Sequence, residues 1–244
     1  MLKVKILGIC GSLRHGNSEF LLKKALEAAK NVAPEYVETE FYTLAGKTIY
    51  TCDFCLLCLE YKDCMVKDDF HELKEKWLEA DGIIYSIPVY HLGMPANLKA
   101  FIDRLGQTVY GSSGDVPPKF MKVIGVIAQG TDLGGGAELT MIQAIVHALV
   151  MGSIPIAGDG PESYIGAYGW TKRSWFTDSF ERLLEQKDFD AETTLRAAES
   201  LGRRVAYLSL IIKNGAHLLK DFLKKDPKYD WYLSKIENDV KKKP

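Results

Sequence analysis

Apolar and polar positions alternate along the first part of the chain so that strands and helices are predicted in turn. Residues 2–9 (LKVKILGI) form a short apolar run, and the segment EFLLKKALEAAK after the first loop repeats its apolar residues at helical spacing. A second strand is predicted at 37–44 (VETEFYTL). The runs 82–90 (GIIYSIPVY) and 122–130 (KVIGVIAQG) are almost entirely apolar, which is typical of parallel strands buried on both faces.

Helices are predicted between these strands at about 68–80, 95–106 and 134–150, and MGSIPIAG (151–158) completes the pattern as a fifth strand. This alternation predicts the α/β class, with helices on both faces of a doubly wound parallel sheet of five strands. We expect this domain to occupy residues 1–158.

Residues 159–244 depart from the alternation. The segment 159–170 (DGPESYIGAYGW) is rich in glycine and aromatic residues and is predicted to be a loop, whereas 174–186 and 190–213 have helical periodicity. We therefore expect a loop followed by a helical C-terminal extension. Its charged end, 224–244, is predicted to be a solvated tail.

The second helix of this extension carries an apolar stripe that consists of Leu195, Leu201, Val205 and Leu208. One small domain is not expected to bury this stripe by itself. The stripe therefore favours a homodimer or a homotetramer.

The composition narrows the possible function classes. With 47% hydrophobic residues, 26% charged residues and a net charge of −1, the chain has no general attraction for nucleic acid or acidic membranes. No stretch approaches the roughly 18 consecutive apolar residues of a membrane span, and lysines interrupt the apolar start, unlike in a secretory signal. We expect a soluble cytoplasmic protein.

Four of the five cysteines lie within one short segment, CDFCLLCLEYKDC, in a loop expected at 46–66. In a reducing compartment this clustering favours a metal site over disulfides. The CxxCxxCxxxxxC spacing suits the four thiolates of a [4Fe–4S] cube, while structural zinc and free thiols remain alternatives. The predicted ligands are Cys52, Cys55, Cys58 and Cys64.

Three loops that follow predicted strands are candidates for ligand binding. The first, CGSLRHGNS (10–18), leads into a helix whose N-terminal N–H groups and small residues suit one phosphate, although helix capping alone would also explain them. It matches neither GxGxxG nor GxxxxGK[ST]. The second loop lies in SIPVYHLGMP (86–95) and the third in AQGTDLGGGAE (128–138), where aromatic side chains and accessible N–H groups suit a planar ring.

The segments GSLRHGNS, PVYHLGMPANLKAFIDR and the glycine-rich third loop resemble the NADPH-dependent FMN reductase superfamily over roughly residues 1–158. The cysteine motif is similar to that of its iron–sulfur flavoprotein branch. This resemblance implies a flavodoxin-like fold, FMN bound across the three loops, and homodimers or homotetramers. The FMN contacts that it implies are Ser12, Arg14, Asn17 and Ser18 at the phosphate, Pro88, Val89, Tyr90, His91, Leu92, Gly93 and Met94 along the ring, and Gly130, Gly134, Gly135 and Gly136 at its edge.

These features predict an oxidoreductase in which the cofactors perform the chemistry, so we assign no catalytic acid, base or nucleophile. One hypothesis is electron transfer from a reduced carrier protein, such as ferredoxin, through FMN and the cluster. The alternative is an NAD(P)H-dependent FMN or quinone reductase whose cysteine loop is vestigial or holds zinc. A zinc-bearing binding module is a third possibility.

Overall fold

The structure is a computed structural model and describes residues 1–241. Its strands are β1 Val4–Cys10, β2 Val37–Thr43, β3 Gly82–Pro88, β4 Val123–Gly130, β5 Ile154–Pro155 and β6 Ala167–Trp170. Its α-helices are α1 Asn17–Val32, α2 Leu57–Tyr61, α3 Phe70–Glu79, α4 Ala96–Leu105, α5 Ala137–Val150, α6 Ser179–Glu185, α7 Phe189–Leu218, α8 Lys220–Leu223 and α9 Asp230–Lys241. A π-helix, Gly106–Tyr110, directly extends α4.

The strands form one parallel sheet in the order β2-β1-β3-β4-β5, and β6 pairs with β4 as well. This is the flavodoxin-like order, with the chain reversing direction across the sheet between β1 and β3. The predicted α/β class, doubly wound sheet and helical C-terminal extension are therefore confirmed. Because all strands are parallel, their carboxyl ends lie along one edge of the sheet.

The position next to β4 differs from the prediction, because two short strands share it. β5 pairs only with Val123 and Ile124, after which the chain leaves the sheet. It returns as β6, which pairs with β4 from Ile127 to Gly130. The predicted fifth strand, 151–158, is thus reduced to two residues, and the predicted loop 159–170 contains a sixth strand. The N–H groups of Ile154 and Ile156 donate to the Lys122 and Ile124 carbonyls of β4, so Pro155, which has no N–H group, sits where the strand needs no donor toward β4.

Two apolar cores cover the two faces of the sheet. One packs residues such as Ile83 and Ile124 against α3, α4 and α5. The other packs Ile84 and Ile127 against α1 and α7. Alternate residues of each central strand therefore enter opposite cores, as strands buried on both faces require.

The long helix α7 is part of the second core. Leu201 and Val205 have no solvent exposure. At Gly202 a Cβ atom would lie 2.1 Å from the carbonyl oxygen of Ala25, so the glycine permits the close approach of α7 to α1. The expectation that one domain would leave this stripe exposed is wrong for Leu201 and Val205, which α1 and the sheet cover, whereas Leu195 and Leu208 are only partly buried.

The end of the chain is also packed. Helix α9 buries Tyr232, Leu233 and Ile236, which corrects the expectation of a solvated tail. Its Lys235 and the Lys213 side chain of α7 both pair with the buried Asp81 carboxylate. Residues 242–244, the last of the predicted tail, lie outside the described range. No helix within residues 1–241 has the length and apolar character that crossing a membrane requires.

Candidate functional site

Four loops meet at the carboxyl edge of the sheet and enclose a pocket, which we call the strand-end pocket. The loops follow β1, β3, β4 and β6, so parallel strands alone bring these distant segments together. The pocket is lined by Ser12, Arg14, Gly16, Asn17, Ser18, Pro88, Val89, Tyr90, Gln129, Gly130, Thr131, Thr171, Ser174 and Trp175.

The first loop places Ser12 and Arg14 at the start of α1. The Ser12 hydroxyl donates to the Arg14 carbonyl oxygen at 2.7 Å and accepts from the Arg14 N–H at 3.2 Å, which closes a tight turn. No side chain caps α1, whose first turn lies in the pocket wall. An anion in the pocket would thus meet open N–H groups, the positive end of the helix dipole and the Arg14 guanidinium.

Asn17 and Ser18 are buried at the same helix start and already have partners. Asn17 Nδ2 donates to the Phe176 carbonyl at 3.0 Å, and its Oδ1 accepts from the Phe180 N–H at 2.9 Å. Ser18 Oγ lies 3.4 Å from Gln129 Oε1. The Asn17 side chain therefore fastens the first loop to the C-terminal extension.

The second loop contributes only part of its predicted residues to the pocket wall. Pro88, Val89 and Tyr90 line it, whereas the loop then turns back through a Tyr90–Gly93 bridge. The four residues beyond Tyr90 are outside the lining set: His91, Leu92, Gly93 and Met94.

The third loop supplies Gly130 to the wall, and of its other glycines Gly136 lies against the second loop, while Gly134 and Gly135 lie outside the lining set. Gly136 has φ +90°, and a Cβ there would lie 2.4 Å from the Leu92 carbonyl oxygen. Tyr168 of β6 accepts a hydrogen bond from the Gly134 N–H at 3.2 Å and donates to the Asp132 carbonyl. Gly136 thus allows two loop backbones to touch, which a larger residue would prevent.

The fourth loop, after β6, was missed at the sequence level. Its Thr171 N–H donates to the Gly130 carbonyl at 3.0 Å, and the Arg173 N–H donates to the Thr131 carbonyl at 2.7 Å. These bonds hold Thr171, Ser174 and Trp175 at the pocket. The available signal was the alternation in IGAYGW followed by the hydroxyl residues of TKRS, which is typical of a strand that ends in a polar loop.

The cysteine segment forms a second, separate cavity, which we call the cysteine cavity. Cys52, Cys55, Cys58 and Cys64 all line it, so the structure brings the four predicted ligands to one cavity. Burial raises the pKa of the Cys58 thiol, and the three neighbouring cysteines add to that rise. All four are free thiols, and Cys10 lies apart, buried at the end of β1.

The backbone around the cysteine cavity turns sharply. Phe54, Leu56 and Lys62 have positive φ values of 58°, 63° and 57°, which bend the chain before and after the short helix α2. The Asp63 carboxylate accepts from the Cys64 N–H and from Lys74 Nζ, both at 2.7 Å. Side-chain hydrogen bonds therefore hold the cysteine cavity, whereas backbone hydrogen bonds between strands and loops hold the strand-end pocket.

The wall opposite the cysteines is the end of α4 and the π-helix that follows it. The Cys58 thiol lies 3.7 Å from the Gln107 carbonyl oxygen. Arg104 Nη2 donates to Cys64 Sγ at 3.2 Å. Arg104 also was missed, although its position three residues after Phe101 and one before Leu105 places it on the buried side of α4.

Within residues 1–241, no group of three or more His, Cys, Asp or Glu side chains is placed to hold a metal ion. The four cysteines share a cavity without forming a closed ligand set. Several large apolar side chains around this cavity are exposed to solvent, namely Tyr50, Phe54, Leu56, Leu57, Leu59, Tyr61 and Met65.

Comparison with known sequences assigns the chain to a family. The family model described as NADPH-dependent FMN reductase matches residues 4–159. An iron–sulfur flavoprotein of Archaeoglobus fulgidus is 37% identical over 75% of this chain and 88% of its own length. An iron–sulfur flavoprotein of Methanocaldococcus jannaschii is 35% identical over 86% of this chain and 100% of its own length.

Solved structures agree on the fold. RosB with its bound intermediate 8-demethyl-8-formylriboflavin-5′-phosphate superposes with a TM-score of 0.62 at 17% identity, over 86% of this chain and 81% of that one. The NAD(P)H:quinone oxidoreductase of Methanothermobacter marburgensis superposes with a TM-score of 0.57 at 14% identity, over 82% of this chain and 98% of that one. With the family match and the close flavoprotein relatives, the chain belongs to the iron–sulfur flavoprotein branch of the NADPH-dependent FMN reductase family and is an FMN-dependent oxidoreductase.

Proposed function

We propose that this protein transfers electrons between a reduced carrier protein of the ferredoxin type and an acceptor, using FMN in the strand-end pocket and a [4Fe–4S] cluster in the cysteine cavity. The observation that carries this proposal is the meeting of Cys52, Cys55, Cys58 and Cys64 in one cavity, apart from the pocket. FMN accepts an electron pair and a cluster handles single electrons, so the two together suit one-electron exchange.

At the strand-end pocket, we assign the FMN phosphate to the first turn of α1, with Arg14 as a charged donor. Asn17 serves mainly through its backbone N–H, since both ends of its side-chain amide already have partners. Ser12 holds Arg14 in its turn. Thr171 and Ser174 join the predicted set as hydroxyl-bearing neighbours of the same wall.

Along the flavin ring we assign Pro88, Val89 and Tyr90 directly, with Gly130 at the ring edge. Tyr90 is 43% exposed, so its ring is free to lie against a planar ligand. Of the remaining predicted residues, Leu92 and Gly136 fix the shape of the loops, because their backbones touch. His91, Gly93, Met94, Gly134 and Gly135 stay predicted flavin contacts that lie outside the pocket lining.

The cysteine cavity fits a cluster by its donor chemistry. Four thiols face one space, and a buried guanidinium beside Cys64 offsets part of the negative charge of a thiolate-bound cluster. The thiols have to close on the cluster as it binds, since metal sites are seldom preformed in the metal-free chain. Zinc would use the same thiols and is the alternative occupant.

Metal and sulfide analysis of anaerobically purified protein tests this assignment. We expect about four irons and four acid-labile sulfides per chain, with a visible spectrum that contains both flavin and cluster bands. We expect FMN rather than FAD after denaturation, because the pocket offers one phosphate site. Stoichiometric zinc without sulfide would refute the cluster assignment. The protein would then be an FMN reductase whose cysteines form a structural zinc site.

The electron donor is tested by comparing reduced ferredoxin, NADH and NADPH under anaerobic steady-state conditions. Rapid flavin reduction by ferredoxin alone supports the proposed function. Rapid reduction by NADPH alone would instead assign the NAD(P)H-dependent FMN or quinone reductase activity that the family name describes.

We also propose that the protein is a homodimer or homotetramer, now on the basis of α5 rather than α7. Leu139, Ile142, Val146 and Leu149 recur at three- and four-residue spacing and are 46–58% exposed. Such a stripe is typical of a helix that pairs with another helix. A monomeric mass by light scattering at micromolar concentration would contradict this assignment.

A further inference from the structure

Arg104 is a charged residue buried in the wall of the cysteine cavity. It lies in the last turn of α4, the helix that begins directly after the second loop of the strand-end pocket. Its side chain is only 1% exposed. Burying a guanidinium costs several kcal/mol unless ion pairs and hydrogen bonds compensate, so its partners indicate why it is there.

Those partners all belong to the two ends of the cysteine segment. Nη2 donates to Cys64 Sγ at 3.2 Å and to the Val66 carbonyl at 2.9 Å. Nη1 forms an ion pair with Asp68 and donates to the Tyr50 carbonyl at 3.3 Å. Arg104 therefore holds the start and the end of the segment against α4.

The Asp68 side of this ion pair is also shielded from solvent. The Asp68 side chain is 2% exposed, and the Phe70 ring lies 4.2 Å from the guanidinium carbon. Burial by itself would raise the pKa of the Asp68 carboxyl, but Arg104 and the N–H groups of Tyr50 and Phe70 hold it below its usual value. The pair is thus charged, with its positive member turned toward the cysteine cavity.

Across the part of the chain that the structure describes, no other cationic side chain is hydrogen-bonded to a cysteine sulfur. Cys64 therefore differs from the other three predicted ligands. Hydrogen bonds to ligand sulfurs and the net charge nearby are the main means by which a protein sets a cluster potential. A buried cation stabilises the reduced, more negative cluster more than the oxidised one.

We propose that Arg104 is a positioning residue that fixes the Cys64 sulfur and raises the reduction potential of the cluster, an inference that rests on the proposed function. Asp68 acts in the opposite sense, because it returns a negative charge to the same buried pair. Arg104 and Asp68 together form a redox-tuning pair whose two members have effects of opposite sign.

The test is an anaerobic redox titration of the holoprotein, followed by the visible bands and the electron paramagnetic resonance signal of the reduced cluster. We expect Arg104→Gln to lower the ratio of reduced to oxidised cluster about tenfold at a fixed potential, which is about 59 mV for a one-electron couple. Arg104→Lys keeps the charge but not the forked geometry. Its reduction potential is expected to lie between those of the wild-type protein and Arg104→Gln.

Asp68→Asn distinguishes tuning from a purely structural role. It keeps an acceptor for the Tyr50 or Phe70 N–H but removes the charge, so we expect it to raise the reduced fraction. Loss of structural support would shift both variants in the same direction. Arg196→Gln removes an exposed arginine that donates a hydrogen bond to the Thr193 hydroxyl, and this matched control is expected to leave the potential unchanged.

The outcomes separate the two proposals. A wild-type protein without iron and sulfide refutes the proposed cluster and this inference together. A wild-type cluster whose potential is unchanged in Arg104→Gln and Arg104→Lys refutes the inference alone. If Arg104→Gln does not fold, as judged by lost FMN and by circular dichroism, the reduction potentials of Arg104→Lys and Asp68→Asn are compared instead. Potential shifts of the same sign in these two variants overturn the proposal.

Discussion

The strand-end pocket is formed by four loops that each follow a buried strand, whereas the cysteine cavity is formed by one long segment with a five-residue helix in it. Backbone hydrogen bonds join the loops of the pocket, such as that from Thr171 to Gly130. Side chains join the parts of the cavity, chiefly Asp63, Asp68 and Arg104. The sheet therefore shapes the pocket in advance, while the cavity depends on a few ion pairs.

This difference suggests that the two cofactors are retained independently. The pocket walls persist without a ligand because four strands position them. The cavity carries exposed apolar side chains and thiols that have to close around a cluster. Substitutions at one site should consequently leave the occupancy of the other almost unchanged.

The largest effect is expected for Cys55→Ser. A hydroxyl is a poor replacement for thiolate on iron, so most of the iron should be lost while FMN stays bound. Iron analysis and flavin absorbance of the same sample measure both. Cys10→Ser is the matched control, since Cys10 lies in the core. Equal loss of flavin and iron in Cys55→Ser would contradict the independence of the sites.

Next in size is Arg14→Ala. Hydrogen bonds to charged groups contribute about 1.5–3 kcal/mol, so FMN affinity should fall roughly 10- to 100-fold. Fluorescence titration of the flavin-free protein measures the Kd. The iron content should not change, and Arg196→Ala, remote from the pocket lining, controls for the loss of charge. An unchanged Kd would exclude Arg14 as a phosphate ligand.

Gly136→Ala should act through the backbone of the pocket. Its positive φ and the contact with the Leu92 carbonyl together are expected to cost about 2 kcal/mol and to shift the second loop. Gly134→Ala is the control, because Gly134 has φ +68° and nothing lies within 4 Å of its added Cβ. Urea unfolding and FMN titration of both variants should therefore differ, and identical curves would argue against the loop contact.

The smallest effect is a pH dependence of stability that arises in α5, outside the linings of both sites. Burial of His147 in α5 lowers its pKa to about 4, with Asp103 opposing this and Lys99 adding to it. The unfolded chain binds this proton near pH 6.5, so stability is full above that pH and falls as the pH drops toward 4. We expect about 1 kcal/mol to be lost by pH 5.5, and His147→Gln to flatten that slope in urea titrations.

The sequence predicted the sheet and the grouping of the four cysteines, because apolar runs mark buried strands and the cysteines lie close together along the chain. Their role as cluster ligands stays a prediction. It did not predict β6 or Thr171, because the alternation in IGAYGW is too short to outweigh the glycine and aromatic content that favours a loop. Arg104 was missed for a different reason. Its spacing from Phe101 places it on the buried side of α4, but a long arginine side chain can extend its charged end to solvent, so the sequence does not show that the segment 50–70 encloses it.

The covering of one sheet face by α7 has a consequence for biosynthesis. Helix α7 begins at Phe189, so Ile84 and Ile127 lack part of their cover until most of the chain has left the ribosome. A nascent or truncated chain that ends near residue 158 would expose this apolar face and be prone to aggregate. The C-terminal extension is therefore needed for the N-terminal strands to reach a stable, dispersed state in the cell.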